Sequence, residues 1–267
     1  MQHIPFGQAA VDFRWCTGIE DTFVPQTRPG MRALDEYELM GHYQRWRDHL
    51  VLARECGAQM IRWGIPWYRL EPEPGVFDWS WTDQVLPYMV EELGLQPILD
   101  LVHYGTPLWM DRSFASPRYP EAVARYAGAV AERYGHLVRY YTPLNEPIIN
   151  ALYCGMRGQW PPYLRGIRGY LTVGMALAKG MLLTVRAIKA ADPQALMVFV
   201  EAAGLSRADR AELEPIAETQ RLRDYFFFDL LTGRITTAHP LYSWLLTNGV
   251  RFNDLQIFLN NPLTIDI

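Results

Sequence analysis

Short apolar runs recur along the chain, and each is followed by turn residues and then by a longer segment of helical period. Segment 35–56 repeats apolar residues every three or four positions and ends at Gly57, whereas segment 170–191 stays apolar until Pro193 stops it. Strands that alternate with helices in this way are typical of a parallel sheet with helical crossovers. The runs that predict strands are Phe6 to Phe13, Met60 to Pro66, Pro97 to His103, Leu137 to Leu144 and Leu196 to Ala202, and further helices are predicted over Pro120 to Tyr134, Arg221 to Thr232, Pro240 to Thr247 and Asn253 to Leu259.

The predicted strands are apolar almost throughout, and their polar residues gather at the carboxyl ends. In an α/β barrel that end of the strands carries the active site. A whole (β/α)8 barrel needs about 250 residues, yet the 267 residues predict only five strands, with residues 263–267 as the opening of a sixth. We therefore predict an α/β fold in a single domain over residues 1–267, a (β/α)8 TIM barrel truncated after about five βα units. The strand-end polar residues are Arg62, His103, Asn145, Glu146 and Glu201.

Composition and charge exclude several functional classes. The formal net charge is -4, and no cluster of Lys and Arg alternates with aromatic residues, so we expect no nucleic-acid partner. The first residues contain no basic stretch followed by an apolar run, and no apolar segment approaches the roughly 18 residues that a membrane span needs. We therefore expect no membrane partner and a cytoplasmic protein.

The cysteines and histidines give no sign of a metal site or a disulfide framework. Cys16, Cys56 and Cys154 are odd in number and far apart, so we expect three buried thiols. The six histidines lack the His-x-His and His-x3-His spacings of metal ligands. This absence weakens the alternative of a metal-dependent hydrolase on the same barrel, and no cofactor or metal is expected.

Aromatic residues make up 13% of the chain, and many follow the apolar runs directly instead of lying inside them. Flat aromatic faces beside strand ends can stack on the C–H faces of sugars, so this placement is compatible with a carbohydrate cleft. The same residues would also fill a large core. Taken by themselves, they favour that simpler interpretation.

Three motifs at strand ends carry the chemistry. The strongest is the fourth-strand sequence Tyr141-Thr142-Pro143-Leu144-Asn145-Glu146-Pro147, in which the strand ends in Asn-Glu and a proline turns the chain away. The others are Arg62-Trp63-Gly64-Ile65-Pro66-Trp67-Tyr68-Arg69 and Asp100-Leu101-Val102-His103-Tyr104-Gly105-Thr106-Pro107-Leu108-Trp109. In their order and placement these motifs resemble the fourth-, second- and third-strand signatures of glycoside hydrolase family 1, a family of retaining barrel glycosidases.

The resemblance implies a role for each motif residue. Glu146 is the acid/base that protonates the leaving oxygen and then deprotonates the attacking water, and Asn145 binds the sugar 2-hydroxyl. His103 and Tyr104 hold the sugar, and Arg62 holds the ionised catalytic partner and keeps its pKa low. From the residues alone, a structural salt bridge stays open for Arg62 and a bond to a backbone carbonyl for His103. The chemistry agrees with the resemblance, because glycoside hydrolysis needs a protonated carboxylic acid beside an ionised carboxylate.

The sequence also departs from the family pattern. The first strand of the family ends with a Gln that binds two sugar hydroxyls, and the simplest alignment of residues 6–10 places Arg14 near that position. Pro143 stands where Thr is usual and Tyr104 where Trp is usual, which indicates a divergent branch with another glycone or aglycone. Glu20 could face the cleft, although a solvated loop acid is the simpler interpretation.

The family places its nucleophile at the end of the seventh strand, which would lie beyond Ile267. Glu201 could reach the cleft, but we expect it to hold the sugar or the loops. The leading hypothesis is a glycosidase that cleaves β-linked O-glycosides by double displacement, of which this chain is the N-terminal portion. With unpaired strand edges and no nucleophile, the chain alone is expected to be poorly soluble and inactive. The alternative is a non-catalytic carbohydrate-binding protein or a degenerate glycosidase.

Overall fold

The computed structural model describes residues 14–267, and its centre is a sheet of parallel strands. The strands are β1 (Cys16–Ile19), β2 (Phe23–Val24), β3 (Leu34–Asp35), β4 (Met60–Gly64), β5 (Gln96–Asp100), β6 (Tyr140–Thr142) and β7 (Leu196–Met197). Five of them pair side by side in the order β1, β4, β5, β6, β7, and every pairing is parallel. The other two, β2 and β3, form a short antiparallel pair. Because all five strands run the same way, their carboxyl ends meet at one edge of the sheet.

Helices fill the crossovers between these strands. The α-helices are α1 (Glu36–Leu39), α2 (His42–Glu55), α3 (Trp67–Leu70), α4 (Thr82–Pro87), α5 (Tyr119–Tyr134), α6 (Pro147–Asn150), α7 (Gly166–Ala191), α8 (Glu214–Asp224), α9 (Phe226–Leu231), α10 (Tyr242–Thr247) and α11 (Phe252–Leu259). Two short π-helical segments, Tyr88–Glu92 and Ala151–Met156, continue α4 and α6. The predicted alternation of strands and helices is confirmed.

Local sequence signals explain where the main helices end. Pro120 lies in the first turn of α5, where its missing N–H is not needed, and Gly135 caps the other end. α7 stops at Asp192 because the following Pro193 cannot continue a helix. The single helix predicted over residues 35–56 is instead two helices, α1 and α2, which are separated at Met40 and Gly41.

Small residues let the outer helices approach each other closely. A Cβ atom on Gly180 of α7 would lie 2.7 Å from a ring carbon of Tyr119 in α5. The π-helical segment Ala151–Met156 meets α7 backbone to backbone. A Cβ atom on Gly155 would lie 2.5 Å from the carbonyl oxygen of Gly169, and a Cβ atom on Gly169 would lie 2.1 Å from the carbonyl oxygen of Gly155. No side chain fits at these crossings.

α7 corrects one expectation from the sequence. It is 26 residues long with a mean hydropathy of 1.5 in its most apolar stretch, so the statement that no segment approaches the length of a membrane span is wrong. In the structure, 61% of that stretch is buried inside the protein, and the helix packs on α5. Its apolar character is therefore that of a core helix in a globular domain.

Most predicted strands are found, although they are shorter than the apolar runs. β4, β5, β6 and β7 fall on the second to fifth runs. The first predicted strand, Phe6 to Phe13, lies outside the described residues, and β1 pairs with β4 instead. Because β1 lies at the sheet edge, Cys16 is exposed, and Cys56 after α2 is exposed as well. The expectation of three buried thiols is therefore correct only for Cys154.

The last residue of the chain, Ile267, forms hydrogen bonds beside β7. The N–H of Ile267 donates to the carbonyl of Met197 at 3.1 Å, and the N–H of Phe199 donates to the carbonyl of Ile267 at 3.0 Å. This is the hydrogen-bond pattern of a parallel strand pair. Because only Ile267 takes part and no strand is assigned over residues 263–267, the interpretation of these residues as the opening of a sixth strand stays a prediction.

The close approach of α5 and α7 makes a prediction about stability. Gly180→Ala should lower the free energy of unfolding by about 1–3 kcal/mol, because its methyl group must displace the Tyr119 ring. Gly128→Ala is the matched control in α5, since its methyl group would lie 3.5 Å from Ala187. That variant should be up to about 1 kcal/mol more stable, because Ala favours helix over Gly. Urea unfolding measures both, and equal effects of the two substitutions would contradict the packing described here.

Candidate active site

The carboxyl ends of β1, β4, β5 and β6 surround a cleft of about 340 Å³. Residues far apart in sequence meet here because parallel strands end at one edge of the sheet. Four of the five predicted site residues line the cleft, and three carboxylates that the sequence did not assign to the site line it with them. The predicted residues are Arg62, His103, Asn145 and Glu146, and the additional carboxylates are Glu20, Asp21 and Asp100.

Glu146 is held at the rim by its backbone. Its N–H donates to the carbonyl of Val200 at 3.1 Å, and the preceding residue, Asn145, donates to the carbonyl of Val102 at 2.9 Å. Glu146 itself has a φ of 41°, in the left-handed region that side chains other than Gly rarely adopt. Pro147 then begins α6 and fixes the direction of the chain. The strand ends of β5 and β7 thus aim the Glu146 side chain into the cleft.

Tyr104, the fifth predicted residue, contacts Glu146 directly. Its hydroxyl donates a hydrogen bond to the Glu146 carboxylate, and its ring packs on Trp160 with 5.1 Å between ring centroids. Burial, followed by the neighbouring Glu146 carboxylate, raises the pKa of Tyr104 above its ordinary value. Tyr104 therefore stays protonated and can always donate to Glu146.

Arg62 links the second strand to the fourth. Its Nη2 forms an ion pair with the Asp100 carboxylate and donates to Oδ1 of Asn145 at 2.6 Å. A guanidinium can only donate, so Arg62 fixes which end of the Asn145 amide is the oxygen. The salt bridge that the sequence left open for Arg62 is therefore present, and the residue also lines the cleft, whereas its role toward an ionised catalytic partner stays a prediction.

His103 is enclosed by carboxylates. Its Nδ1 lies 2.9 Å from Oδ2 of Asp100 and 3.3 Å from Oδ1 of Asp21, and its Nε2 lies 3.2 Å from Oε1 of Glu20. Burial alone would lower the pKa of His103, but the hydrogen bonds to Asp100 and Asp21 outweigh it and raise the pKa to about 10. His103 is therefore an imidazolium at neutral pH, and the alternative of a histidine satisfied by a backbone carbonyl is wrong.

Two buried carboxylates balance the two cations of the site. Asp21 and Asp100 face Arg62 and protonated His103, and burial raises the pKa of Asp21 to about 6. The ligand atoms of Asp21, Asp100 and His103 lie within 4.8 Å of one another, a spacing that could hold a metal ion. The positive charge that such an ion would supply is already provided by Arg62 and the imidazolium, so the charges are matched without one.

Glu201 supports the site from behind. Its carboxylate oxygens accept from the N–H of Ile148 at 3.2 and 3.3 Å, and Oε1 accepts from the N–H of Ala202 at 3.0 Å. Burial raises the pKa of Glu201 to about 8. Because Ile148 lies in the first turn of α6, Glu201 holds the helix that begins directly after Glu146. This placement agrees with the expectation that Glu201 holds the loops.

The end of the first strand differs from the prediction. Arg14 is exposed and precedes β1, and it does not line the cleft. Glu20, for which the sequence left a place at the cleft open and favoured a solvated loop acid, follows β1 directly; its side chain is 62% exposed, and its carboxylate also lies at His103 in the cleft. The physical reason is the register, because β1 pairs Cys16 with Met60 and so brings residue 20, not residue 14, to the carboxyl end of the sheet.

Comparison with known proteins gives one family. The family model described as Glycosyl hydrolase family 1 matches residues 17–226. Beta-galactosidase BgaA from Thermus sp is 32% identical over 117 residues, which are 35% of this chain and 18% of that protein. Beta-glucosidase A from Thermotoga maritima is 26% identical over 132 residues, which are 47% of this chain and 29% of that protein.

Solved structures agree with the sequence relatives. The structure of the family 1 β-glucosidase from Thermotoga maritima superposes with a TM-score of 0.76 at 18% identity, over 84% of this chain and 52% of that chain. The α/β architecture with a parallel sheet is therefore that of the TIM-barrel β-glucosidases. The chain spans about half the length of the solved structures it matches and less than a third of the curated relatives above.

The charge balance makes a prediction about protonation. Asp100→Asn should lower the pKa of His103 from about 10 by at least about one unit, because it removes the nearest carboxylate. NMR titration of the His103 ring resonances measures this change, with Asp83→Asn in the exposed Arg133 pair as control. Since the folded pKa lies above the ordinary 6.5, protonated His103 stabilises the fold fully below pH 6.5 and loses this effect as the pH rises through 10. An unchanged His103 titration in Asp100→Asn would show that Asp100 does not set its charge.

Proposed function

The chain belongs to glycosyl hydrolase family 1, and from this premise we propose that the protein hydrolyses β-linked O-glycosides with retention of configuration, using Glu146 as acid and base. The observation that carries the proposal is the placement of Glu146. Its carboxylate lies at the rim of a cleft that also holds Arg62, Asn145 and His103, and it accepts a hydrogen bond from Tyr104. Glycoside cleavage requires a carboxyl group held beside sugar-binding donors and acceptors in this way.

The proposed reaction uses Glu146 twice. In the first step, protonated Glu146 gives its proton to the glycosidic oxygen while a second carboxylate attacks the anomeric carbon, so that the alcohol leaves and a glycosyl ester forms. In the second step, ionised Glu146 takes a proton from water, and the water oxygen displaces the carboxylate. Tyr104 can donate to Glu146 after its proton has left, which stabilises the ionised state between the two steps.

Asn145 and His103 are proposed to hold the sugar. The Arg62 guanidinium occupies Oδ1 of Asn145, so the amide N–H groups are directed to the other side, where Nδ2 lies 3.1 Å from the His103 ring. The resemblance assigns Asn145 to the sugar 2-hydroxyl, and an amide N–H is a suitable donor for that oxygen. His103 offers a charged donor beside it, which makes a stronger hydrogen bond than a neutral group.

The second carboxylate is proposed to lie outside these 267 residues. Asp21 and Asp100 are committed to Arg62 and His103, and Glu201 is committed to the N-terminus of α6. The resemblance puts the nucleophile on the seventh strand, whereas the described sheet has five strands and matches about half of the solved structures. We therefore propose that the chain alone is inactive, and that Arg62 also faces the nucleophile in the complete site.

Leaving-group dependence tests the role of Glu146. In the full product of the gene, Glu146→Gln should lower kcat/KM for an alkyl β-glucoside by about 10²–10⁴-fold, the usual contribution of a general acid. For 2,4-dinitrophenyl β-glucoside, whose leaving group needs no proton, the burst of released phenol should be lowered far less. The later hydrolysis of the glycosyl ester should still be slow, because it needs the base.

The matched control is Glu132→Gln, which removes the same charge from an exposed position of α5. It should leave both rates unchanged. Equal losses on both substrates in Glu146→Gln would contradict acid catalysis by Glu146. Turnover by the 267-residue chain alone, abolished by Glu146→Gln, would contradict the proposal that the nucleophile lies elsewhere. Sugar binding by the full product without any hydrolysis would favour the non-catalytic alternative.

A further inference from the structure

A second cavity lies on the outer face of α7 and is larger than the cleft, at about 730 Å³. Within residues 14–267 it shares no lining residue with the cleft. Its floor is a stripe of α7 residues three or four positions apart, which is one face of a helix. Tyr170, Val173 and Leu177, which lie between these positions, are buried in the core, so the cavity opens on the side of α7 that faces away from the sheet. The stripe consists of Arg168, Leu171, Thr172, Met175, Ala176 and Lys179.

Two further parts of the chain turn this face of α7 into a groove, which we call the outer groove. Pro117 and Pro120, around the start of α5, line one side of it, and Val250 and Phe258, before and within α11, line the other. Small molecules usually bind in cavities of roughly 300–1,000 Å³ that have apolar walls and a few polar groups. The outer groove therefore has the size and the walls of a small-molecule site.

The charge of the outer groove is opposite in sign to that of the whole chain. Among the described residues, its lining contains four cations and one carboxylate, a net charge of +3, whereas the chain has a formal net charge of -4. A concave surface lined by one sign of charge attracts ligands of the other sign. The outer groove is therefore suited to an anion. The cations are Arg112, Arg168, Lys179 and Arg251, and the carboxylate is Asp254.

Two of the four cations are available to a ligand. Arg251 and Lys179 are engaged in ion pairs with carboxylates, at 2.9 and 2.6 Å. In the part of the chain that the structure describes, neither Arg112 nor Arg168 has a carboxylate partner, and both residues are exposed. An anion can therefore bind these two guanidinium groups without breaking an internal ion pair.

The backbone holds both of these arginines in place. Arg168 lies in the first turn of α7, beside Gly169 at the crossing with the π-helical segment. Arg112 and Ser113 have φ values of 60° and 48°, which residues other than Gly keep only where their surroundings fix them. Ser113 is buried, and its Oγ accepts from the hydroxyl of Thr106 at 3.1 Å. Both guanidinium groups are thus carried by backbone that is fixed by its neighbours.

We propose that the outer groove binds a small organic anion. Arg112 and Arg168 bind its acidic group. Its apolar body lies on Met175, Ala176 and Phe258. A guanidinium group can bind two oxygens of a carboxylate, sulfonate or phosphate at once, and the apolar floor removes the rest of the ligand from water. The proposal is independent of the chemistry in the cleft.

Two dyes that differ only in their acidic group test the proposal. 8-Anilinonaphthalene-1-sulfonate and N-phenyl-1-naphthylamine contain the same rings, and the second lacks the sulfonate. Their dissociation constants for the full product of the gene are measured by fluorescence titration. Arg112→Gln/Arg168→Gln should weaken binding of the sulfonate by about tenfold or more, because charge-assisted hydrogen bonds to it are lost. Binding of the neutral dye should not change.

Arg139→Gln/Arg207→Gln is the matched control, since it removes two positive charges from exposed positions outside the outer groove. It should leave both dissociation constants unchanged. Ala176→Trp should weaken binding of both dyes, because the indole ring fills the apolar floor. Urea unfolding of every variant shows whether the fold is retained, and Arg168→Gln alone, which changes one exposed side chain, should shift sulfonate binding in the same direction as the double variant.

The inference is overturned if Arg112→Gln/Arg168→Gln loses both dyes equally or loses neither. It is also overturned if the wild-type protein binds the sulfonate without saturation. A synthetic amphipathic peptide of leucine and glutamate distinguishes a small ligand from an acidic protein partner. If the wild-type protein binds this peptide but not the sulfonate dye, the outer groove is a docking site for an acidic partner and the proposal of a small ligand is wrong. None of these measurements requires catalysis, so their result is separate from that of the proposed hydrolysis.

Discussion

The site depends on one buried oxygen, Oδ2 of Asp100, which is shared by the Arg62 guanidinium and Nδ1 of His103. In a poorly solvated environment a single carboxylate can hold two cations close together, and without it their repulsion would push them apart. Arg62 in turn sets the orientation of the Asn145 amide, and His103 presents its other ring nitrogen to the cleft. The donors that line the cleft are therefore ordered by a buried carboxylate.

The backbone around Glu146 applies a second constraint. A non-glycine residue with a φ of 41° is costly by itself and persists only where its surroundings leave no alternative. Here the carbonyl of Val200 accepts from the N–H of Glu146, and the ring of Pro147 restricts the backbone that follows. Glu201 accepts from the N–H of Ile148 and so holds the first turn of α6 in place. The side chain is thus placed by the sheet and the helix together, before any ligand arrives. Placement by rigid elements suits the general acid that we propose Glu146 to be, because proton transfer is sensitive to small displacements.

Much of this arrangement could be predicted from the sequence, because apolar runs that end in polar residues can be recognised in the sequence itself. His103, Asn145 and Glu146 each follow such a run, and the geometry of parallel strands brings them together. The place of Glu20 stayed open between the cleft and solvent because it depends on the register of β1 with β4, which a four-residue edge strand encodes weakly. Asp100 and Asp21 were missed because burial depends on distant neighbours. An available signal was the charged residue within the otherwise apolar run from Ile98 to Val102, since such a charge is rarely buried without a partner.

The contact between Gly155 and Gly169 constrains how this part of the molecule can evolve. The two backbones touch, so neither position tolerates even a methyl group, and a larger residue at one cannot be offset by a smaller one at the other. A side chain at either position would force the segment that follows Glu146 to move away from α7 as a unit, so this crossing ties the position of that segment to the longest helix of the fold.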